Sequence, residues 1–489
     1  MAAHILAIDQ GTSATKCILV DAAGRMVAKA TAPLSEYLPL PGWVEQDAEE
    51  IWQSVLQAVQ ACMAQVSGVP GVQVAGVGIS TQRESALVWQ RSDGRAVTPL
   101  LSWQDQRTVS LRDRLNTDVV EKMVRERSGL PLDPMFSALK LAWLLDEFDP
   151  QREQARSGNW CAGTVDAYLL GRLGADFVTE VGNASRTQLL NVHTGDWDAD
   201  LLALFGIPRQ LLPRVHASRG AFATADKLHP ALEGVPVLSV MADSHSALFA
   251  HGGFEPGQVK ATLGTGSSVM ALAPSGAAHH PGMCLTIAWD AGQGPVQALE
   301  GNIRAAGATL RWLADLFEMP LDDAVELASR SDSNGVCLVP GFNGLGAPWW
   351  DTQAVGLVSG LTLSAGKSAL LAAGLESIAH QVADVIDAMD QSVPGMRKLY
   401  LDGGPSRNPR LLDMLAGYIA RPVVQCADPE LSALGVAHLA GLQAGMWDWA
   451  GLKALARAQN DVQSTLAPAE VVASRHNWSH AVARARLRG

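Results

Sequence analysis

Residues 4–8 form a short apolar run that stops at Asp9-Gln10-Gly11-Thr12-Ser13, and a second apolar run, 15–20, reaches a polar turn at Asp21-Ala22-Ala23-Gly24. Two strand-length runs around a polar glycine turn predict a β-hairpin. Over 47–63 the apolar period lengthens. Ile51, Val55, Leu56, Val59 and Met63 share one face behind an acidic start, which predicts a helix. Residues 72–79 read as a buried strand that runs into Ser80-Thr81-Gln82-Arg83-Glu84-Ser85, and 86–89 is strand-like again. Strands mixed with helices in this way predict an α/β or α+β domain.

A similar arrangement returns later. A strand over 235–240 ends at Met241-Ala242-Asp243-Ser244-His245, a helix is predicted over 246–250, and 252–257 is a Gly/Pro-rich connection. Runs at 258–263 and 268–272 then flank Gly264-Thr265-Gly266-Ser267. This second strand–glycine turn–strand unit lies about 250 residues after the first, which predicts two domains of related architecture, 1–248 and 249–489. Helical patterns follow over 302–317 and 365–389, a strand over 399–402 ends at Gly403-Gly404, and helices are predicted over 409–418 and 430–444. The Gly/Pro-rich stretch 340–348 predicts a structured loop, and the polar tail 459–489 carries no legible chemistry.

Composition narrows the classes. The chain has 489 residues, 48% apolar and 18% charged, with a net charge of −12. It can bury sizeable cores, and without long Lys/Arg runs it is not expected to bind nucleic acid. An acidic chain can still hold an anion through backbone donors, helix N-termini and a metal ion. The most apolar stretches, such as 74–79 and 370–375, are shorter than the roughly 20 residues of a membrane helix, so no membrane span is expected. Residues 1–16 lack a basic segment and meet Asp9 early, unlike a secretion signal. Cys17, Cys62, Cys161, Cys284, Cys337 and Cys426 form no CxxC pair, which predicts reduced thiols in a cytoplasmic protein.

Several polar clusters could carry chemistry. At the end of the first strand, Asp9-Gln10-Gly11-Thr12 offers a carboxylate that can hold a divalent cation and a glycine that lets phosphate approach the backbone. An ordinary Asp/Gly turn would read the same. Neither GxxxxGK[ST] nor a GxGxxG after the first strand occurs. Gly264-Thr265-Gly266 is a second candidate phosphate turn. In Asp402-Gly403-Gly404 the glycines would let a flat ring lie on the backbone, and Asn408 could bond an exocyclic amine; a plain strand-to-helix turn is the alternative. Arg83 and Glu84 offer donors and acceptors to vicinal hydroxyls, or form a surface ion pair. Trp103 offers an aromatic face to the C–H side of a polyol, or packs in the core. Asp243, at a strand end before a helix, could take a proton from an attacking hydroxyl or cap the helix.

In this order the motifs resemble the FGGY family of carbohydrate kinases, and its glycerol kinase branch most. The likeness runs from Asp9 to about Trp449. It includes Asp9-Gln10-Gly11-Thr12, Gln82-Arg83-Glu84, Trp103-Gln104-Asp105-Gln106-Arg107-Thr108, Met135-Phe136-Ser137-Ala138-Leu139-Lys140-Leu141-Ala142-Trp143, Asn183-Ala184-Ser185-Arg186-Thr187, Gly264-Thr265-Gly266, Leu299-Glu300-Gly301, Gly344-Leu345-Gly346-Ala347-Pro348-Trp349-Trp350-Asp351 and Asp402-Gly403-Gly404, with Ser359-Gly360-Leu361 leading to Leu375-Glu376.

The resemblance implies two actin-like, ribonuclease-H-like domains flanking a central cleft, and ATP-dependent phosphorylation of a sugar or polyol hydroxyl with Mg²⁺. It implies Asp243 as catalytic base and Asp9 with Asp243 at the metal. It places Thr12, Ser13, Gly264, Thr265, Gly266, Gly307, Arg311, Gly403, Gly404 and Asn408 at ATP. Arg83, Glu84, Trp103, Met135, Asp243, Ser244 and Ser268 would line the substrate pocket. The partner is a small molecule, and family members are often dimers or tetramers, so a homo-oligomer is compatible with it.

Three positions depart from the glycerol kinase pattern. Met135 stands for a Tyr, Ser244 for a Gln and Ser268 for a Phe. These departures predict a roomier pocket and a substrate larger than glycerol, such as a four- to six-carbon polyol or a ketose, as in a xylulokinase-like enzyme. A non-catalytic sugar or nucleotide sensor on the same fold would have no need of Asp9 and Asp243. A chaperone-type ATPase would have no use for Arg83, Glu84 and Trp103.

Overall fold

In the computed structural model, which describes residues 2–488 apart from 275, 277–279, 394, 427, 429 and 458, the chain divides into two units. The first holds Met1–Gly252, Leu285–Gln297 and Glu430–Ala456; the second holds Gly253–Cys284, Ala298–Pro429 and Arg457–Gly489. Both are discontinuous, so no single cut in the sequence reproduces them.

The first unit is built on β1 (Ala2–Gln10), β2 (Ala14–Asp21), β3 (Met26–Pro33), β4 (Val72–Thr81), β5 (Arg219–Thr224) and β6 (Pro236–Ala242), in the order β5-β6-β4-β1-β2-β3. The β1–β2 hairpin runs in register from His4 opposite Asp21 to Gln10 opposite Thr15. β1 lies parallel to β4, and β4 parallel to β6. Ile5, Leu6, Ala7 and Ile8 are all fully buried, because helices cover both faces of the sheet. On one face Leu6 and Ile8 join Ile51, Val55 and Val59 of the helix Ala48–Ala64, which Asp47 caps by accepting from the Glu49 and Glu50 N–H groups. The other face meets the helix Leu431–Gln443, where Ser239 Oγ donates to the Val436 carbonyl at 2.8 Å. A Cβ on Gly78 would come within 2.7 Å of that same oxygen.

The second unit repeats this plan. Its strands are β7 (Val259–Leu263), β8 (Ser267–Leu272), β10 (Pro295–Ile303, in this unit from Ala298), β11 (Leu399–Gly403), β12 (Val423–Cys426) and β13 (Gln459–Val462), ordered β10-β8-β7-β11-β12-β13; β9 (Cys284–Asp290), which lies between β8 and β10 in the chain, falls from Leu285 onward in the first unit. β10, β8 and β7 are antiparallel neighbours, β7, β11 and β12 are parallel, and β13 closes antiparallel to β12. The first unit has the same directions in β3, β2, β1, then β1, β4, β6, then β5. This shared topology is the two domains of related architecture that the paired hairpins predict, and the ribonuclease-H-like, actin-like fold that the family resemblance implies.

Some boundaries differ from the sequence reading. The helix expected over 302–317 spans Gly307–Leu316, because Asn302 and Ile303 finish β10 and pair across to β8. Helices at Asp118–Ser128, Ser137–Phe148 and Val165–Leu173 had no separate expectation. The helix Lys367–Asp390 is long and apolar enough to cross a bilayer, although no single apolar run in it is; most of its apolar stretch is buried inside the protein.

The tail is structural. Its helix Pro468–Ala485 brings Trp478 against Lys367–Asp390, where the indole N–H donates to Asp384 Oδ2 at 2.7 Å. The His380 ring stacks on Trp478 at 4.9 Å and on Tyr418 at 4.4 Å, and Arg475 pairs with Asp384 at 2.8 Å. Trp478 is 2% exposed, so Trp478→Ala is expected to destabilise the second unit by about 3–5 kcal/mol, read as a lower urea midpoint.

Candidate active site

Strand register assembles the acidic centre of the first unit. Asp9 lies at the end of β1, opposite Lys16 on β2 and Ser80 on β4. β6 ends at Ala242, paired with Thr81, so Asp243 emerges beyond the carboxyl end of the sheet, where ligands bind in α/β folds. The helix begins with Asp243, and its N-cap position falls on Ala242, so Asp243 is not the cap. Its Oδ1 accepts from the Ser244 N–H at 2.5 Å and lies 3.4 Å from Arg83 Nε, with about a third of the side chain exposed (34%).

Asp9 is buried and accepts from Ser80 Oγ at 3.0 Å. Burial, and secondarily the charge of Asp243, push its carboxyl up to about 7; Lys16 and Ser80 oppose the rise and Glu430 adds to it. Lys16 is held by Glu430 at 2.9 Å, and the same carboxylate takes Lys29 at 2.5 Å.

Arg83 and Glu84 are 8% and 4% exposed, so the surface ion-pair alternative does not apply. Glu84 sits at φ +62°, held by two long-range contacts. Arg186 Nε donates to its Oε1 at 2.7 Å, and Ser137 Oγ donates to its carbonyl at 2.9 Å. Trp103 is 36% exposed and therefore not a core residue; its indole N–H donates to Thr12 Oγ1 at 3.0 Å. Met135 belongs to a turn gathered by the buried Lys140, whose ammonium donates to the Pro134 and Met135 carbonyls at 2.6 Å each. Burial lowers the Lys140 ammonium to about 8. Ser244 is half-buried beside Asp243, and Ser13 is exposed on the β1–β2 turn.

In the second unit, Gly264-Thr265-Gly266 joins β7 to β8 and is stitched to the start of the helix Gly307–Leu316. The Gly307 N–H donates to the Gly264 carbonyl at 2.9 Å and the Ala308 N–H to the Thr265 carbonyl at 3.1 Å. A Cβ on Gly307 would lie 2.7 Å from the Gly264 oxygen, one on Gly266 2.6 Å from the Ile303 oxygen, and one on Gly403, at φ +92°, 2.0 Å from the Leu263 oxygen. Gly404 differs: a Cβ there would meet nothing within 4 Å. Packing does not require glycine at that position, and the bare backbone suits close approach of a ligand. Arg311 is exposed on its helix.

Two side chains are engaged by the protein itself. Ser268 Oγ donates to Glu300 Oε1 at 2.6 Å, where Asn302 Nδ2 also donates at 3.1 Å. Asn408 caps the helix Pro409–Tyr418, its Oδ1 accepting from Arg410 and Leu411, while Nδ2 donates to Ser329 Oγ at 2.6 Å. The oxygen expected to meet an exocyclic amine therefore already holds two backbone donors. Sequence reasoning gave no role to Arg186, Lys140 or Ser137, although all three stand inside quoted motifs.

Two ribonuclease-H-like units, with glycine turns at their strand ends and a pair of carboxylates in the first, fit a phosphoryl-transfer enzyme. The chain belongs to the FGGY family of carbohydrate kinases: residues 4–250 match its N-terminal domain and residues 259–444 its C-terminal domain. It is 41% identical to an apulose kinase of Pectobacterium atrosepticum over 99% of this chain and 98% of that protein. It is 42% identical to a glycerol kinase of Citrifermentans bemidjiense over 92% of each. The crystal structure of Plasmodium falciparum glycerol kinase with ADP superposes with a TM-score of 0.93 at 26% identity, covering 100% of this chain and 99% of that one. The protein is thus a carbohydrate kinase, with ATP as the phosphoryl donor.

Proposed function

We propose that this enzyme phosphorylates a hydroxyl of a polyol or ketose larger than glycerol, with Asp243 as general base. The observation that carries the reading is the acidic pair at the strand ends: a buried Asp9 beside a partly exposed Asp243 that faces Arg83. Asp243 accepts the proton of the attacking hydroxyl. Arg83 lies beside that carboxylate, and Arg83 and Glu84 meet neighbouring hydroxyls of the substrate. Trp103 presents its ring to the C–H side.

The acidic pair fits Mg²⁺. Both donors are hard oxygens, Asp243 contributes to the rise of the Asp9 carboxyl, and Mg²⁺ needs only one or two carboxylates besides water and phosphate. When bound, the ion would neutralise charge on the phosphates. In this reading Thr12 and Ser13 are the phosphate-facing residues of the first unit, and the turn Gly264-Thr265-Gly266 with Gly307 and Arg311 those of the second. Gly403 and Gly404 take the adenine end, and Asn408 acts by capping the helix that follows them.

The substrate reading follows from three residue types. Met135, Ser244 and Ser268 remove two bulky groups and one hydroxyl relative to the glycerol kinase pattern. The similarity to an apulose kinase, named for a ketose, points the same way. The test is ADP release with Mg·ATP against glycerol, erythritol, threitol, ribitol, xylitol, erythrulose, ribulose, xylulose and apulose, with Asp243→Ala as control. One of the larger compounds is expected to exceed glycerol in kcat/KM by about 10-fold or more. Turnover of glycerol equal to that of the larger compounds removes the enlarged substrate; turnover that survives Asp243→Ala removes Asp243 as base.

A further inference from the structure

Three buried glutamines take no part in the chemistry above. Gln10, Gln46 and Gln82 are 0%, 1% and 1% exposed, yet all carry polar amides into the first unit's core. Gln82 Nε2 donates to Gln46 Oε1 at 2.9 Å and to Gln10 Oε1 at 3.2 Å. Gln46 Nε2 donates in turn to the Thr12 carbonyl at 2.6 Å, and Gln10 Nε2 to the Gly11 carbonyl at 2.8 Å. At the other end, Ser85 Oγ donates to Gln82 Oε1 at 2.8 Å and receives the Trp103 N–H at 3.0 Å. The chain of donors has one polarity, from Trp103 to the β1–β2 turn. Turning the Gln46 amide over would set its oxygen against the Thr12 carbonyl, so its orientation is fixed.

A trans peptide points its N–H opposite to its C=O. The Gly11 carbonyl shares a peptide with the Thr12 N–H, and the Thr12 carbonyl with the Ser13 N–H. With both carbonyls drawn to the buried glutamines, both N–H groups face away from the core. Neither has a protein acceptor among the described residues. Successive backbone N–H groups aimed outward form a concavity for an anion. We propose that Gln46 and Gln82 are positioning residues for the nucleotide phosphates, holding the Gly11–Thr12 and Thr12–Ser13 peptide planes so that their N–H groups stay turned to the ligand. The proposal rests on the reading of the chain as an ATP-dependent kinase.

The protein and its Q46L, Q82L and Q46E variants are compared by equilibrium titration with Mg·ATP and with adenosine, by steady-state kinetics and by thermal melting. Q46L and Q82L are expected to raise the ATP Kd and KM about 10-fold, the equivalent of one hydrogen bond, with adenosine affinity and polyol KM nearly unchanged. In Q46E the carboxylate cannot donate to the Thr12 carbonyl; protonation restores the donor. The ratio of its ATP affinity to that of the unmodified protein therefore climbs as the pH falls toward about 5. A purely structural role would lower the melting temperature and weaken adenosine and ATP alike. That result, or unchanged ATP affinity in a folded Q46L or Q82L, overturns the proposal. If Q46L and Q82L fail to fold, the pH dependence of Q46E decides. An unmodified protein that binds no ATP fails the kinase reading itself, a separate outcome.

Discussion

Asp243→Asn is expected to lower kcat by about 10²–10⁴ while the Kd for ATP changes little. The amide keeps the size of the carboxylate, and its oxygen can still accept the Ser244 N–H and sit near Arg83. What it loses is basicity. The attacking hydroxyl then has no acceptor for its proton, and the loss appears in the chemical step rather than in nucleotide binding. Arg83 keeps Glu84 at 3.8 Å, so the site is not left with an uncompensated cation. Steady-state kinetics on the best compound from the substrate panel, with direct ATP titration, checks both halves. A kcat within about 10-fold of the unmodified enzyme would remove Asp243 from the role of base.

Asp9→Asn is expected to do two opposite things: abolish turnover, and stabilise the ligand-free protein at pH 8. The folded Asp9 carboxyl stands at about 7, above its ordinary value of 3.8, chiefly through burial. A carboxyl raised on folding binds its proton more tightly in the native state. Its contribution is therefore fully present below about pH 4 and is lost as the pH rises through about 7. A rise from 3.8 to about 7 corresponds to about 4 kcal/mol at most. An asparagine carries no charge to bury, so the variant is expected to gain about 2–4 kcal/mol at pH 8 and almost nothing at pH 4. Urea unfolding of both proteins at the two pH values, without Mg²⁺ or nucleotide, is the measurement. A variant no more stable than its parent at pH 8 would show that the buried charge is already compensated by Lys16.

The parts of the fold legible in the sequence were those with local causes. The β1–β2 hairpin, the Asp47-capped helix and the two glycine turns each declare themselves within a few residues. The site residues that escaped have distant partners. Arg186 meets Glu84 across 102 positions, and Gln46 reaches Thr12 across 34. Nothing near Arg83 and Glu84 in the sequence separates a buried functional pair from an exposed ion pair; burial is a property of the assembled sheet. The tail failed to read for the same reason. Trp478 means nothing until His380, Tyr418 and Asp384 stand beside it. Asn408 shows the reverse case, where a local cap explains a residue that the pattern had reserved for a ligand.

The helix Leu431–Gln443 has a consequence for how the protein is made. It covers the face of the first sheet that carries Ile5, Ala7 and Gly78, yet it lies far toward the end of the chain. A nascent polypeptide that has emerged from the ribosome through β6 holds every strand of that sheet but exposes one apolar side of it. Translation runs at about 5–20 residues per second, so that side stays uncovered for about 10–40 seconds on each ribosome. Termination between residues 242 and 431 would release a chain that holds the whole first sheet and leaves that apolar side bare.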